Sequence, residues 1–398
     1  MLNFRFTHLR STLGASTDCR ARVGKFTPPG SAGLCPWLSY LKPALFCELA
    51  NDHAQAQSWH IFSGCDAPIF ALGHLGISFE HVFASDKDPM CRKIIEAIHK
   101  PTRFYDQVQA PKQPDDYVDL YCCGPPCTPF SSAGLQAGDS DPRSLVDHSL
   151  DFISEFQPAA VMMENVPGLA KKRHKVTMDR ILRCLHENGY KAKYRLLNTT
   201  THGGLPHNRC RLYLVAIKRH RVVRERPFKW PSVVLGPRKV PLDPPKPGED
   251  PKCLPPKDWR RGLPRSLLKR SYKKCIRKGV DPRKTIVFTD IACSRRWATN
   301  GRVNTMPCLT VARGRFGGYW VSTRGRLTTI AELFRLQGFS PRAIKYRSLG
   351  ISDKDMGGIL GNTMSLPVCG RVLRRLVFAA GLVDVLPADP WGGPEGGQ

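Results

Sequence analysis

Acidic residues are scarce in this 398-residue chain: 33 Asp and Glu stand against 61 Lys and Arg, a formal net charge of +28. A surplus of that size repels itself unless a polyanion faces it, which puts nucleic acid first among partners. No apolar run approaches the ~20 residues needed to cross a bilayer, so an integral membrane protein is excluded. No long basic amphipathic helix is present to lie on a membrane surface. No two of the 15 cysteines stand at C-x-x-C spacing, so zinc ribbons and fingers have no support and no metal is expected. An odd number of cysteines in a chain this long reads as free thiols in a reducing compartment. No G-x-G-x-x-G follows the first strand-like run, which removes a nicotinamide dehydrogenase. Internal repeats are absent.

What is present falls into five stretches. Residues 1–57 form a basic N-terminal extension. Its first 30 residues hold Arg5, Arg10, Arg20, Arg22 and Lys25 against the single acid Asp18, which fits a targeting segment or a disordered arm. From Ser58 to Lys218, short apolar runs (59–62, 81–84, 118–122, 159–163, 212–217) alternate with helix-like stretches (88–99, 143–156, 176–188). Runs apolar throughout, separated by helical patterns, indicate an α/β fold: a doubly wound, mostly parallel sheet covered on both faces. Residues 219–303 read as an inserted, irregular, basic module. Within 219–300, 23 Lys/Arg and 7 Asp/Glu carry +16 of the net charge, with 12 of the 34 prolines. The α/β texture returns over 304–385, where Val368, Val372, Leu376 and Ala380 share a helical face. Residues 386–398 read as a flexible tail.

The run 118–122 leads into Cys123-Gly124-Pro125-Pro126-Cys127-Thr128-Pro129-Phe130-Ser131. A lone cysteine after a strand is more often structural than chemical. Here the glycine and flanking prolines fix a rigid loop at a strand's carboxyl end, which presents a thiol rather than filling a core. The run 159–163 ends in Glu164-Asn165-Val166-Pro167. Two strand ends deliver a thiol and a carboxylate to one rim of the sheet, where ligands of doubly wound folds bind.

PPCTPFS around Cys127 and ENV at 164–166 resemble the signature motifs of the cytosine carbon-5 methyltransferase family. Further matches follow in the family's order: Ile61-Phe62-Ser63-Gly64-Cys65 is similar to its cofactor loop. Asp86 and Asp106 stand where its acidic cofactor contacts are expected. Arg209-Cys210-Arg211 resembles its Arg-x-Arg motif, Arg335-Leu336-Gln337-Gly338-Phe339 its RLQGF, and Gly361-Asn362 with Val368 its final motif. The resemblance covers about 59–218 and 304–384. It implies a Rossmann-like methyltransferase fold, with the basic insert as a small target-recognition domain.

It also implies the cofactor S-adenosylmethionine, held by Phe62, Ser63, Gly64, Cys65, Asp86, Asp106, Gly124 and Asn362. The implied chemistry is attack of the Cys127 thiolate on carbon-6 of cytosine, with Glu164 on the ring nitrogen and exocyclic amine. Arg211, supported by Arg209, would anchor the base carbonyl and help keep the thiol deprotonated. The implied partner is double-stranded DNA with the target base flipped out; a monomer is expected, in the nucleus by its substrate, or in a mitochondrion or plastid by the basic N-terminal composition. Departures from the pattern are His60, Asp66, Ala67, Thr128 and His207, the last two where the family has Gln. Two other readings stand beside this one: a transfer-RNA cytosine-5 methyltransferase, and a catalytically silent nucleic-acid-binding relative.

Overall fold

The computed structural model describes residues 56–392 except 62–63, 106–117, 132–136, 139–140, 142–143, 236–238, 256–262 and 294–300, and not the side chains of 56–61 and 263. All but the last two residues of the expected N-terminal extension lie outside the described residues. What is described belongs to one unit, Ala54–Gln398.

Seven strands form the central sheet: β1 (Ala56–Ile61), β2 (Phe79–Ser85), β3 (Arg103–Tyr105), β4 (Leu120–Cys123), β5 (Ala160–Asn165), β6 (Tyr190–Asn198) and β7 (Cys210–Lys218). Their order is β3-β2-β1-β4-β5-β7-β6. The first five are parallel; β7 runs antiparallel to β5, and β6 antiparallel to β7. Helices α1 (Ala67–His74), α2 (Pro89–Ile98), α3 (Val146–Phe156), α4 (Lys175–Glu187) and the short α5 (Thr199–His202) connect them.

Strand side chains divide by alternation between two cores. Leu120, Cys122, Ala160, Met162, Tyr213, Val215 and Ile217 enter one core, which the C-terminal helices complete. Tyr121, Cys123, Val161, Met163, Leu212, Leu214 and Ala216 enter the other, under α3 and α4. Both faces are buried, so these strands read as continuous apolar runs. The run 212–217 is as apolar as its parallel neighbours although β7 is antiparallel. Continuous apolarity reports two-sided burial, not strand direction.

Beyond β7 lie α6 (Leu263–Ile276), β8 (Val287–Thr289), β9 (Arg302–Val303), α7 (Val311–Phe316), β10 (Trp320–Val321), β11 (Arg326–Leu327), α8 (Ile330–Gln337), α9 (Asp353–Asn362) and α10 (Leu366–Ala379). A four-stranded sheet of order β11-β10-β8-β9 joins residues from both sides of position 303. The stretch expected to be irregular contains the 14-residue α6, whose buried Leu267, Leu268, Ser271 and Cys275 do follow helical spacing. Asp243 and Glu249 turn inward to Arg335, Arg324 and Arg326, seating the Pro-rich segment against the start of α8.

The stretch after Leu386, expected to be loose, is held through Gly392. Arg371 of α10 donates to Asp389 at 2.7 Å, with both side chains buried, and Arg374 donates to the Pro387 carbonyl. A Cβ on Gly370 would lie 2.2 Å from the Trp391 ring.

Candidate active site

The sheet order reverses between β1 and β4, so the chain leaves these strands in opposite directions and opens a crevice at their carboxyl ends. The loop after β4 carries Cys127, half-buried, immediately before a single 3₁₀ turn, Thr128–Phe130. Neighbouring β5 delivers Glu164 to the same rim. Its next residue, the buried Asn165, donates from Nδ2 to the Pro125 carbonyl at 3.1 Å and so straps the thiol's loop to β5. Gly168 closes the other side: a Cβ there would stand 1.8 Å from the Phe130 carbonyl oxygen.

The antiparallel register sets Tyr213 opposite Glu164. Period two then places Arg211 on the same face as Tyr213, diagonal to Glu164. Arg211 Nε and Glu164 Oε1 are 3.2 Å apart, with side chains about one-tenth exposed. Burial works against the Arg211 charge, but Cys308, Glu164 and Cys127 around it raise its pKa. The same neighbourhood acts on Cys127. Burial raises the thiol's pKa above its ordinary 9.0, against a downward pull from Arg211 and Arg209. Burial wins, so the arginines do not by themselves keep this thiol ionised near neutrality.

Arg209, expected to support Arg211 at the base, has another occupation. It is almost fully buried and donates to the carbonyls of Leu309 (2.8 Å), Gly361 (3.1 Å) and Thr363 (2.8 Å). It clamps β7 to the closing part of the chain, and it reaches Cys127 only through its field.

On the expected cofactor side, Gly64 has φ +62°, and a Cβ there would lie 2.8 Å from Thr363 Oγ1. Only glycine allows that turn and that approach together. Asp86, just past β2, receives the Gly64 amide on Oδ2 (3.3 Å) and the Asp88 amide on Oδ1 (2.9 Å). Burial pushes its pKa up to about 6. Cys65 turns inward, its sulfur 3.3 Å from Thr363 Oγ1 and its thiol raised to about 12 by burial. Asp66 adopts φ +62° with a buried carboxylate 3.6 Å from His81 Nε2. Gly124 is half-buried at the end of β4, and Asn362 ends α9 with an exposed side chain. Thr363, the following residue, is the one that meets the Gly64 turn. Phe62, Ser63 and Asp106 lie outside the described residues.

A tight backbone turn at the end of β1, with a carboxylate at the end of β2, fits a ligand bearing a ribose: amides approach closely and the carboxylate oxygens retain lone pairs for hydroxyls. The sequence reading assigned no role to Asn165, Gly168 or Thr363. Asn165 and Thr363 stand in or directly beside quoted motifs, which is the signal that could have found them.

The model of the C-5 cytosine-specific DNA methylase family matches residues 57–377. The chain belongs to this family. The Type II methyltransferase M.NgoBI of Neisseria gonorrhoeae is 27% identical over 324 residues, 78% of this chain and 92% of that one. M.MthTI of Methanothermobacter thermautotrophicus is 30% identical over 154 residues, 37% of this chain and 45% of its own length. The matches to M.MthTI and to M.SPRI of Bacillus phage SPR thus span less than half of those relatives. Among solved structures, the Entamoeba histolytica methyltransferase EhMeth superposes with TM-score 0.55 at 16% identity, covering 82% of this chain and 98% of that one. A methyltransferase encoded within an E. coli prophage gives 0.52 at 19%, covering 82% and 100%. These two show that the methylase family's fold extends over most of the chain.

Proposed function

We propose that this chain methylates carbon-5 of cytosine in double-stranded DNA, using S-adenosylmethionine and a covalent Cys127 adduct on a flipped base. The observation that carries the reading is the meeting of Cys127, Glu164 and Arg211, from three separate elements, at one rim of the sheet. Carbon-5 of cytosine is a poor nucleophile. Addition of the Cys127 sulfur to carbon-6 breaks the 5,6 double bond and moves its electron pair onto carbon-5. Glu164 meets the ring nitrogen and exocyclic amine, which selects cytosine, and Arg211 meets the base carbonyl. Once that electron pair has bonded carbon-5 to the methyl group, loss of the carbon-5 proton to a base re-forms the double bond and expels the thiolate. The backbone at Gly64 and Cys65 and the Asp86 carboxylate would hold S-adenosylmethionine, with Phe62, Ser63, Asp106, Gly124 and Asn362 as further expected contacts. When bound, it supplies an electrophilic methyl group on a sulfonium. A stacked base cannot reach a thiol recessed in this rim, so the target leaves the helix.

Duplex DNA carrying 5-fluorocytosine tests the reading, because fluorine replaces the proton that must leave. A complex that survives denaturing electrophoresis, requires S-adenosylmethionine and vanishes in Cys127→Ala is the expected result. Absence of the band with DNA, and its appearance with fluorocytosine-containing transfer RNA, would move the substrate to RNA. Absence with both would make the chain a silent relative.

A further inference from the structure

His207 belongs neither to the thiol loop nor to the Glu164–Arg211 pair, yet it is wholly buried and both ring nitrogens are occupied. Nε2 lies 3.0 Å from the backbone nitrogen of Leu309; that N–H can only donate, so Nε2 carries no proton. Nδ1 lies 3.1 Å from the Leu336 carbonyl oxygen, which can only accept, so Nδ1 carries the proton. The tautomer follows from the two partners. The surroundings agree with it: burial first, then Arg209 and Arg211, push the imidazole pKa well below 6.5.

The ring thereby joins three segments: its own loop before β7, residues 306–309, and the last turn of α8. Two backbone bonds of 2.8 Å, Asn208 to Met306 and Met306 to Pro206, run beside it. Leu309 is gripped twice, its amide by His207 and its carbonyl by Arg209. Cys308, the residue before it, holds its sulfur 3.6 Å from Arg211 Nη1. The placement of Leu309 therefore decides what lies against the guanidinium that pairs with Glu164.

We propose that His207 is a positioning residue of the methyltransferase site, which as a neutral Nδ1–H imidazole sets the 306–309 segment against Arg211. The inference rests on the function proposed above. The charged and titratable groups around the ring are Arg209 just before β7, Arg211 at its start, and Cys308 on the gripped segment. Arg335 of α8 is turned away, to Asp243 and the Pro241 carbonyl. A proton on Nε2 would set two N–H groups head to head beside two guanidiniums, so acid opens the clasp.

Glutamine offers one acceptor and one donor and does not titrate, whereas leucine fills the space and offers neither. Steady-state methyl transfer to unmethylated duplex DNA and thermal midpoints between about pH 5.5 and pH 8 are compared for the full chain, His207→Leu and His207→Gln. Leucine is expected to lower kcat about 10- to 100-fold with little change in the S-adenosylmethionine KM, and glutamine to recover most of it. The unfolded imidazole takes up a proton below about pH 6.5 while the folded one does not, so wild type loses stability as pH falls through that window. The melting midpoint of wild type should therefore drop relative to His207→Gln on acidification, with the difference constant at alkaline pH. Wild-type kcat in His207→Leu, or a difference between wild type and His207→Gln independent of pH, overturns the proposal. If His207→Leu does not fold, the glutamine comparison decides alone. If wild type itself fails to methylate DNA, the functional reading falls while the melting comparison still tests His207.

Discussion

At the scale of single residues, the site is governed by opposed electrostatic effects whose balance sets the chemistry. Arg211 and Arg209 draw the Cys127 thiol toward ionisation, but burial outweighs them and its pKa stays above 9.0. In the proposed reaction the proton therefore leaves in the course of catalysis, and the single-turnover methylation rate should climb steadily between about pH 6.5 and pH 9. A rate flat across that range would show a thiolate already formed. Asp86 is balanced differently. Burial raises its pKa to about 6, while two backbone amides favour its charged form. Ribose hydroxyls donate best to the ionised carboxylate, so cofactor affinity should weaken as pH falls through about 6. Asp86→Ala should weaken cofactor binding about tenfold or more, the loss of one or two charge-assisted hydrogen bonds, with DNA affinity unaltered. Calorimetric titration of S-adenosylmethionine into the variant, giving the wild-type constant, would remove Asp86 from the site.

At the scale of elements, the thiol loop owes its position to what β5 sends across to it. Asn165 reaches back to the Pro125 carbonyl, and Gly168 lets the following turn pack on the Phe130 backbone. A methyl group at 168 would meet backbone, which cannot rotate aside. Gly168→Ala should therefore cost about 1–3 kcal/mol in chemical denaturation, the usual range for overpacking. It should also slow adduct formation on fluorocytosine DNA more than it weakens cofactor binding. Equal losses in both would mean that the whole rim moved. The central strands β4, β5 and β7 were legible because each is buried on two faces and so is apolar at nearly every position. Edge strand β6 was not: most of it is exposed, its polar residues break the pattern, and it is held by the backbone ladder to β7. Helix α6 was hidden by composition, since seven of its fourteen residues are charged or polar and only its buried stripe shows the period.

At the scale of the whole molecule, the surplus charge is sorted rather than spread. Asp243, Glu249 and Asp290, three of the seven acids within 219–300, face inward to arginines at 335, 324, 326 and 313. Lys269, Arg270 and Lys273 of α6, and Arg277 just past its end, stay exposed. Neutralising the acids against the core leaves this region more basic outward than its composition suggests. Phosphate contacts release counterions, so DNA affinity should fall steeply with salt, with a log–log slope near −0.9 per phosphate neutralised. Changing Lys269, Arg270, Lys273 and Arg277 together to Ala should flatten that slope by several units in fluorescence-anisotropy titrations. An unchanged slope would put the phosphate track elsewhere.

The linear order of residues was enough to mark Cys127, Glu164 and Arg211 and the strands that carry them. Cys127 and Glu164 follow apolar runs at strand carboxyl ends, which share one rim of a doubly wound sheet. Arg211, marked by the Arg-x-Arg motif, begins β7 and reaches that rim because β7 is antiparallel. The spacing of Arg209, just before β7, and Arg211, within it, likewise turns both side chains to the same side. Their different work is a tertiary result. Arg211 lies diagonal to Glu164 only because β7 pairs antiparallel with β5, and Arg209 meets carbonyls that are 100 to 154 residues away in the chain. Partners so far apart leave no local period in the sequence. The same holds for Thr363 over Gly64 and for His207 between Leu309 and Leu336. The identity of a reactive group is written locally, while the contacts that hold it in place exist only once the chain has closed on itself.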